Sequence, residues 1–307
     1  MKPTTKAPVG QEAIAAKGWL MAHRFLILRR LSQMFFLSLF LMGPWFGIWW
    51  VKGNLTGSMT LDVLPLTDPF VLLQSLAARH WPELVGLTGA LIVAGVYAAI
   101  GGRVYCSWVC PINPVADAAH WLHERLDLPK GWQPKRQTRL WVMAMVLAVS
   151  AISGTIAWEF VNPISMLHRG LIFGMGFAWA FVLAVFVFDL VISRRGWCGH
   201  LCPVGAFYGC LGQGALLRVS AARRDACDDC MDCFAVCPEM HVITPALRGK
   251  GTQTPLILSP DCTNCGRCID VCSVDVFNFT HRFDARLRPV PAPSQPQPAP
   301  DKNGAMT

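Results

Sequence analysis

The chain has 307 residues, 53% of them hydrophobic and only 15% charged, with a formal net charge of +8 and 12 tryptophans. A water-soluble protein of this length carries more charge on its surface, so composition excludes a purely soluble enzyme and points to a bilayer. The 13 cysteines fall mostly in metal-binding spacings, which implies a reducing compartment and not a disulfide scaffold.

In chain order, residues 1–17 are polar, and no signal peptide with a small-residue cleavage site is read there. Residues 18–30, GWLMAHRFLILRR, mix basic and apolar types. They are expected either to lie along the inner headgroups or to serve only as a charged flank. Four segments are then apolar enough to cross a bilayer: Leu31 to Val51, Leu84 to Ile100, Leu140 to Trp158 and Leu171 to Ile192. The first carries Gly43-Pro44 and ends in Trp45, Trp49 and Trp50, and tryptophans at span ends fit an interfacial belt. Lys and Arg counts in the flanks run six (1–30), two (52–83), six (103–139) and one (158–170), with Arg194, Arg195, Arg218, Arg223 and Arg224 after the last span. By the positive-inside rule both termini and the middle loop are cytoplasmic. The basic balance is thus mostly topological, and no nucleic-acid-binding motif is present.

The outer loop Lys52 to Glu83 contains LDVLPLTDPFVLLQSL. It is too apolar for free solvation and is expected to pack on the membrane or on a partner. Straight after the second span comes Cys106-x3-Cys110-Pro111, and after the fourth comes Cys198-x3-Cys202-Pro203. Asp68-Pro69 upstream of the first pair matches Asn162-Pro163 upstream of the second. The unit is an Asx-Pro turn, one inward helix and a C-x3-C-P turn, present twice, and a two-fold-like repeat of this kind puts both cysteine pairs side by side at the inner face. The four thiols suit a shared cluster or other metal, a reversible dithiol, or a structural role. Cys210 has no partner at metal spacing and reads as a small buried apolar residue. Polar groups near the bilayer are Asp189, Glu159 and His168. They are candidate acceptors for the protons that quinol oxidation releases. The plainer reading pairs Asp189 with Arg194 or Arg195 and leaves the other two solvated.

The C-terminal part holds Cys227-x2-Cys230-x2-Cys233-x3-Cys237-Pro238, then Cys262-x2-Cys265-x2-Cys268-x3-Cys272. Thiolates in this run, repeated once, are the bacterial ferredoxin arrangement for two [4Fe–4S] clusters. Three cysteines wrap one face of a cubane and the fourth reaches the neighbouring cluster. That assigns Cys227, Cys230, Cys233 and Cys272 to one cluster and Cys262, Cys265, Cys268 and Cys237 to the other. Zinc also binds C-x2-C pairs, but it needs four ligands per site and no third regularly spaced cysteine. Ser273 stands where a proline usually follows the last cysteine. Between the runs, Pro238 to Asp261 reads as short strands joined by a Gly-rich turn, with another strand at Val276 to Phe279. The tail PVPAPSQPQPAP reads as disordered.

The fold class expected is an α-helical membrane domain of four transmembrane helices with a two-fold-like repeat, plus a small α+β bacterial-type 2[4Fe–4S] ferredoxin domain. The boundaries are 1–30 for the basic segment, 31–216 for the membrane domain, 217–285 for the ferredoxin domain and 286–307 for the tail.

The stretches GPWFGIW, LDVLPLTDPF, YCSWVCPINP, WEFVNPIS, GWCGHLCPVGAFYG, CMDCFAVCPE and CGRCIDVCSVDVF resemble the NapH family over about residues 10 to 285. These are integral membrane ferredoxin-type subunits of periplasmic nitrate reductase systems, in which serine also follows the final cysteine. The resemblance implies a quinol dehydrogenase component in the bacterial inner membrane. It implies work with a periplasmic iron–sulfur protein of the NapG type, a membrane-anchored multihaem cytochrome and the quinone pool. Relatives of similar layout imply the alternative of a membrane redox sensor or metal-assembly factor. No C-x-x-C-H haem motif occurs in the sequence, so the expected cofactors are iron–sulfur only: two clusters, joined by a third metal centre in the one of the three readings in which the C-x3-C-P cysteines share a metal.

Overall fold

The computed structural model describes residues 8–129, 131–132, 134–174, 176–193, 195–249 and 254–287. The proline-rich tail, the Gly-rich turn at 250–253 and Arg194 lie outside them.

Two short helices, α1 (Gln11–Lys17) and α2 (Trp19–Ala22), lead into α3 (Arg24–Phe46), which has 23 residues. This helix begins ahead of the expected Leu31 because its first turns have partners. The backbone N–H groups of Phe25 and Leu26 donate to Asp270 at 3.2 and 3.0 Å. Lys17 reaches Asp275 at 2.8 Å, and the Phe25 ring meets Phe279 edge-on. The N-terminal segment therefore packs on the ferredoxin-type region, while Trp19, Leu20 and Met21 stay exposed. Gly47 ends α3 short of Val51 by taking the left-handed conformation at φ 73°, where a Cβ is disfavoured.

The outer loop forms an antiparallel sheet of β1 (Val51–Gly53), β2 (Gly57–Thr60) and β3 (Leu64–Thr67). Helix α4 (Pro69–Ala77) and the apolar helix α5 (Leu84–Ile100) follow. A Cβ on Gly89 of α5 would stand 3.0 Å from the Pro65 carbonyl. The apolar loop thus packs on this chain's own helices. After α5 come α6 (Val104–Trp108), α7 (Ile112–Arg125) and α8 (Thr138–Ser153). Next are α9 (Pro163–Phe173) and α10 (Gly176–Val187), which runs on as a π turn through Ile192. A second π turn, Trp197–Leu201, leads into α11 (Pro203–Leu211). Left-handed Gly154 ends α8 before the expected Trp158, and left-handed Gly174 ends α9 three residues into the expected fourth span, whose Gly176–Ile192 part is α10 and its π turn.

The two halves share a device. Asp68 caps α4 by accepting from Phe70 N at 3.0 Å, and Asn162 caps α9 by accepting from Ile164 N at 3.1 Å. Each is followed by proline at the first helical position, whose missing N–H costs nothing there. Phe70, Ile164, Tyr105, Val204 and Tyr208 are buried in one core that both halves build.

The second core belongs to the C-terminal region, with Val219, Ile243, Ile257, Ile269 and Phe277 at its centre. Here β4 (Leu217–Ser220) pairs antiparallel with β5 (Asn278–His281) around α12 (Asp232–Val236), α13 (Ile243–Arg248) and α14 (Arg267–Asp270). The strand expected at Val276 to Phe279 is shifted towards His281. Of the strands expected between Pro238 and Asp261, the first gives way to α13, whereas Leu256 makes an antiparallel bridge to Ser220 of β4. Val242, Ile243, Ala246 and Leu247 are all buried, and that spacing of one, four and five is helical.

Among the described residues one helix, α3, is long and apolar enough to cross a bilayer. Helices α5 and α8 and the Gly176–Ile192 run are apolar but shorter, α5 at 17 residues and α8 at 16.

The turn after α5 sits against α11, and a Cβ on Gly102 would stand 1.6 Å from the Tyr208 carbonyl oxygen. Gly102→Ala should therefore destabilise the protein by about 3 kcal/mol or more, as overpacking against backbone does. Gly214→Ala, which meets nothing within 4 Å, should leave the melting temperature in detergent unchanged.

Candidate iron–sulfur site

The eight ferredoxin-type cysteines gather in two sets. Cys227, Cys230, Cys233 and Cys272 line one cavity, and Cys237, Cys262, Cys265 and Cys268 line another. Matching turns produce this. Met231 at φ 69° opens α12 and Gly266 at φ 73° opens α14, so each loop turns back and presents its third cysteine in the first helical turn. Position 266 has no room for a side chain, since a Cβ would stand 2.5 Å from Phe25.

The sets fit a cubane better than a single ion. Tetrahedral zinc at 2.3 Å from each sulfur brings thiolates to about 3.8 Å of one another. Among the described residues no three cysteine sulfurs lie within 4.8 Å of each other. Sulfur is also met by backbone donors, as where Val276 N donates to Cys272 Sγ at 3.3 Å, a contact that tunes clusters. Burial pushes the Cys233 and Cys262 thiols up to about 12. At Cys265 burial is outweighed by Arg267 and Arg29, and its thiol is held below the ordinary range.

The four C-x3-C-P cysteines converge as well. Cys198 interacts with Cys110, Cys202 and Cys106, and all four are free thiols. Backbone N–H groups at the start of α7 (Ile112, Asn113) bond Cys110, and those at the start of α11 (Val204, Gly205) bond Cys202. Helix N-termini favour negative charge at both sulfurs. Burial raises all four thiols, Cys202 to about 12.

An ionic knot joins this second group to the cavity of Cys237 and Cys262. Arg103 and Glu239, 2% and 4% exposed, pair at 2.7 Å. Arg103 also donates to the carbonyls of Asp261 at 2.9 Å and Cys198 at 3.3 Å. Arg139 pairs with Glu239 at 3.3 Å and with Asp261, which also binds His241 at 2.9 Å. Glu239, His241 and Asp261 lie close enough to hold an ion, but the arginines already neutralise them. Beside the knot, Ser107 Oγ donates to Thr263 O at 2.7 Å and Trp108 Nε1 to Asn264 O at 3.1 Å. Helix α6, which carries Cys106, thereby holds the loop of Cys262. A second knot centres on Asp117 of α7, paired with Arg30 at 2.5 Å, Arg267 at 2.8 Å and Arg195 at 3.4 Å.

These charged residues were not singled out in the sequence. The signal was adjacency: Arg103, Glu239, Asp261 and Arg267 each lie within three residues of a cysteine. The tyrosines were missed too. Tyr97, Tyr105 and Tyr208 are the only three in the chain, and they pack ring to ring beside these thiols at 4.9 to 5.8 Å.

Other expectations need correction. Asp189 is fully buried and accepts from Trp197 N at 2.8 Å, so it fixes the turn into the second cysteine pair. Arg195 reaches Asp117 at 3.4 Å, and Arg194, the other expected partner of Asp189, lies outside the described residues. Glu159 binds Asn162 and Ser165 at 2.9 Å each. His168 is buried against Phe40, not solvated. Cys210 is exposed on α11, not buried.

Comparison with known proteins agrees with this layout. A family profile described as a 4Fe-4S binding domain matches twice, at residues 83–129 and 173–220, once over each C-x3-C-P half. A 4Fe-4S dicluster domain matches residues 226–276. Ferredoxin-type protein NapH of Escherichia coli (strain K12) is 48% identical over 91% of this chain and 97% of its own. The methylamine utilization ferredoxin-type protein MauN of Methylorubrum extorquens is 54% identical over 92% of this chain and 98% of its own. MauN of Paracoccus denitrificans is 54% identical over 81% and 88%. The chain belongs to the NapH and MauN family of ferredoxin-type proteins. No solved structure matches it. Within this NapH and MauN family chain the 4Fe-4S profiles cover both groups of cysteines described above.

The knots set two expectations. Glu239→Gln leaves Arg103 buried without its counter-charge, which should cost about 3 kcal/mol. It should also expose the 212–216 connection to limited proteolysis. The pH dependence follows from Asp117 and Asp261. Burial alone would raise both, but the arginines around Asp117, and His241, Arg139 and Arg103 around Asp261, hold them well below the usual carboxylate range. Their contribution is present in full above the unfolded value of about 3.9 and is lost as pH falls towards the folded values. Proteolytic resistance should be flat from pH 8 to about 5 and decline below about 4.

Proposed function

We propose that this chain is the iron–sulfur electron-transfer subunit of a membrane quinol dehydrogenase. One [4Fe–4S] cluster is held by Cys227, Cys230, Cys233 and Cys272, and another by Cys262, Cys265, Cys268 and Cys237. A third centre lies on Cys106, Cys110, Cys198 and Cys202. Each cluster supplies one-electron transfer. The observation that carries this reading is the convergence of twelve thiols into three adjoining groups, two of them bridged by the Arg103–Glu239 pair. The protein's own part is to hold the thiols in place, to offset their charge with Arg267 and Arg29, and to aim helix N-termini at Cys110 and Cys202.

In this reading α3, α5, α8 and the Gly176–Ile192 run cross the inner membrane. At 1.5 Å per residue, 17 residues span roughly 26 Å, close to the hydrocarbon thickness. Leu84, Trp141 and Ile152, 74–87% exposed, then face lipid. The Lys and Arg distribution puts both termini and the ferredoxin-type domain on the cytoplasmic side. The partners are the quinone pool, a periplasmic iron–sulfur protein of the NapG type and a membrane-anchored multihaem cytochrome, feeding a periplasmic nitrate reductase. The higher identity to MauN than to NapH, 54% against 48%, favours a second reading in which the pathway served is methylamine utilization.

Iron and acid-labile sulfide per chain test the proposal. Purified protein should hold about twelve iron atoms, and Cys198→Ser about eight, with two [4Fe–4S] EPR signals remaining. Quinol should reduce these signals. Eight iron atoms in both proteins would remove the third centre, and clusters that no quinol reduces would remove the dehydrogenase role.

A further inference from the structure

A cavity of about 680 Å³ lies away from the thiols themselves, between the N-terminal segment, α7 and the ferredoxin-type region. This is the size of a small-molecule site. Most of its wall is apolar, including Val9, Ile14, Leu26, Ala118 and Trp121. The same elements carry exposed Trp19, Leu20 and Met21, at 57%, 69% and 49%, so its rim offers an apolar route to the lipid phase.

Both ferredoxin-type cysteine sets border it. Val271 lines this cavity and that of Cys272, while Arg267 lines it and that of Cys268. One side chain therefore separates the pocket from each set. The wall also holds two buried donors with no hydrogen-bond partner among the described residues, Arg29 Nη1 and Arg267 Nε. The Asp117 oxygen facing Arg29 Nη1 is 3.9 Å away. Buried donors of this kind call for an acceptor. Charge narrows the choice. Four arginines (29, 30, 195 and 267) face Asp117, Glu124 and Asp270, close to balance, which disfavours a multiply charged headgroup and suits a neutral ligand with acceptor oxygens.

We propose that this pocket binds the quinol headgroup, between Arg29, Arg267 and α7, with the tail leaving past Leu26 and Trp121. The inference rests on the quinol dehydrogenase reading above and gives it a location. Oxidation of the quinol to the quinone breaks two O–H bonds and releases two electrons and two protons. The electrons go to the two ferredoxin-type clusters, one each. The protons go to the His120 and Glu124 side chains, which line the pocket 3.4 Å apart.

The test uses full-length protein with its clusters in phosphatidylcholine nanodiscs and a fluorescent quinol analogue, 2-heptyl-4-hydroxyquinoline N-oxide, whose emission is quenched on binding. Wild type should bind one analogue per chain. Ala118→Trp, on an exposed position of the wall, should weaken binding at least tenfold and abolish reduction of the clusters by menadiol. Iron content and dithionite-reduced EPR spectra should not change. Val9→Trp, filling the pocket from the opposite side, should do the same, and Ile152→Trp, elsewhere on the surface, should bind as wild type. If both pocket variants bind the analogue normally while menadiol still reduces their clusters, the location is wrong and the dehydrogenase reading stands. If wild type binds no analogue, the pocket proposal fails. If menadiol also leaves wild-type clusters oxidised, the dehydrogenase reading fails with it. Displacement of the analogue by cardiolipin at equimolar amounts would make this an anionic-lipid site and overturn the proposal.

Discussion

The buried pair of Arg103 and Glu239 is the constraint on which the arrangement depends. Each residue sits beside cysteines of a different group, Arg103 before Cys106 and Glu239 after Cys237. Their 2.7 Å contact therefore fixes one thiol group against the other. Burying two charges is costly unless every remaining donor and acceptor is met. Here the other Arg103 donors go to the carbonyls of Asp261 and Cys198, and Glu239 has Arg139 as a second partner. A buried ion pair is weak evidence for net stability, but it is directional. Any rotation of the C-terminal region on the helices would strand both charges, so the knot acts on geometry more than on free energy.

That view changes the meaning of the basic residues. Counted along the sequence, Arg29, Arg30, Arg103, Arg139 and Arg195 read as cytoplasmic flanks of spans. In the folded chain each is used again as a fastener, to Asp117, Glu239 or Asp261. The two roles do not conflict. A basic surface on the helices suits a domain that carries clustered thiolates, because clustered thiolates bring excess negative charge. Cys265, whose thiol is held low by Arg267 and Arg29, shows the coupling at one sulfur.

What the sequence revealed divides by range. The cysteine runs were legible because a ferredoxin loop is local: three residues between sulfurs and a left-handed turn at Met231 or Gly266. The duplicated Asx-Pro cap was legible for the same reason, as Asp68 and Asn162 bond only two residues ahead. The N-terminal segment was not, because Lys17 meets Asp275 and Leu26 meets Asp270 across more than 240 residues. Glycines at 47, 154 and 174 moved helix ends that hydropathy alone set too late or merged. Val242 to Leu247 was read as strand from its β-branched residues, where the spacing of its apolar positions and tertiary packing favoured a helix. Cys210 failed differently: a small apolar residue in an apolar chain need not be inside, since the surface of such a protein is itself apolar.

The repeat also bears on why two cysteine pairs occur. One C-x3-C-P turn can aim only two sulfurs and one helix N-terminus at a point. Two such turns supply four sulfurs and the N-termini of both α7 and α11. The halves are not equivalent, however. The first carries Asp68, which the Tyr208 hydroxyl meets at 3.3 Å, where the second carries neutral Asn162. Tyr105, stacked on Tyr208, and Tyr97, edge-on to it, also come from the first half, so polarity and aromatic rings gather on one side of the thiols. The Cys237–Cys262 set lies next to the same thiols, joined through Arg103. The four thiols therefore sit between a charged ferredoxin-type side and a polar, aromatic side, an asymmetry that a symmetric pair of halves would not provide.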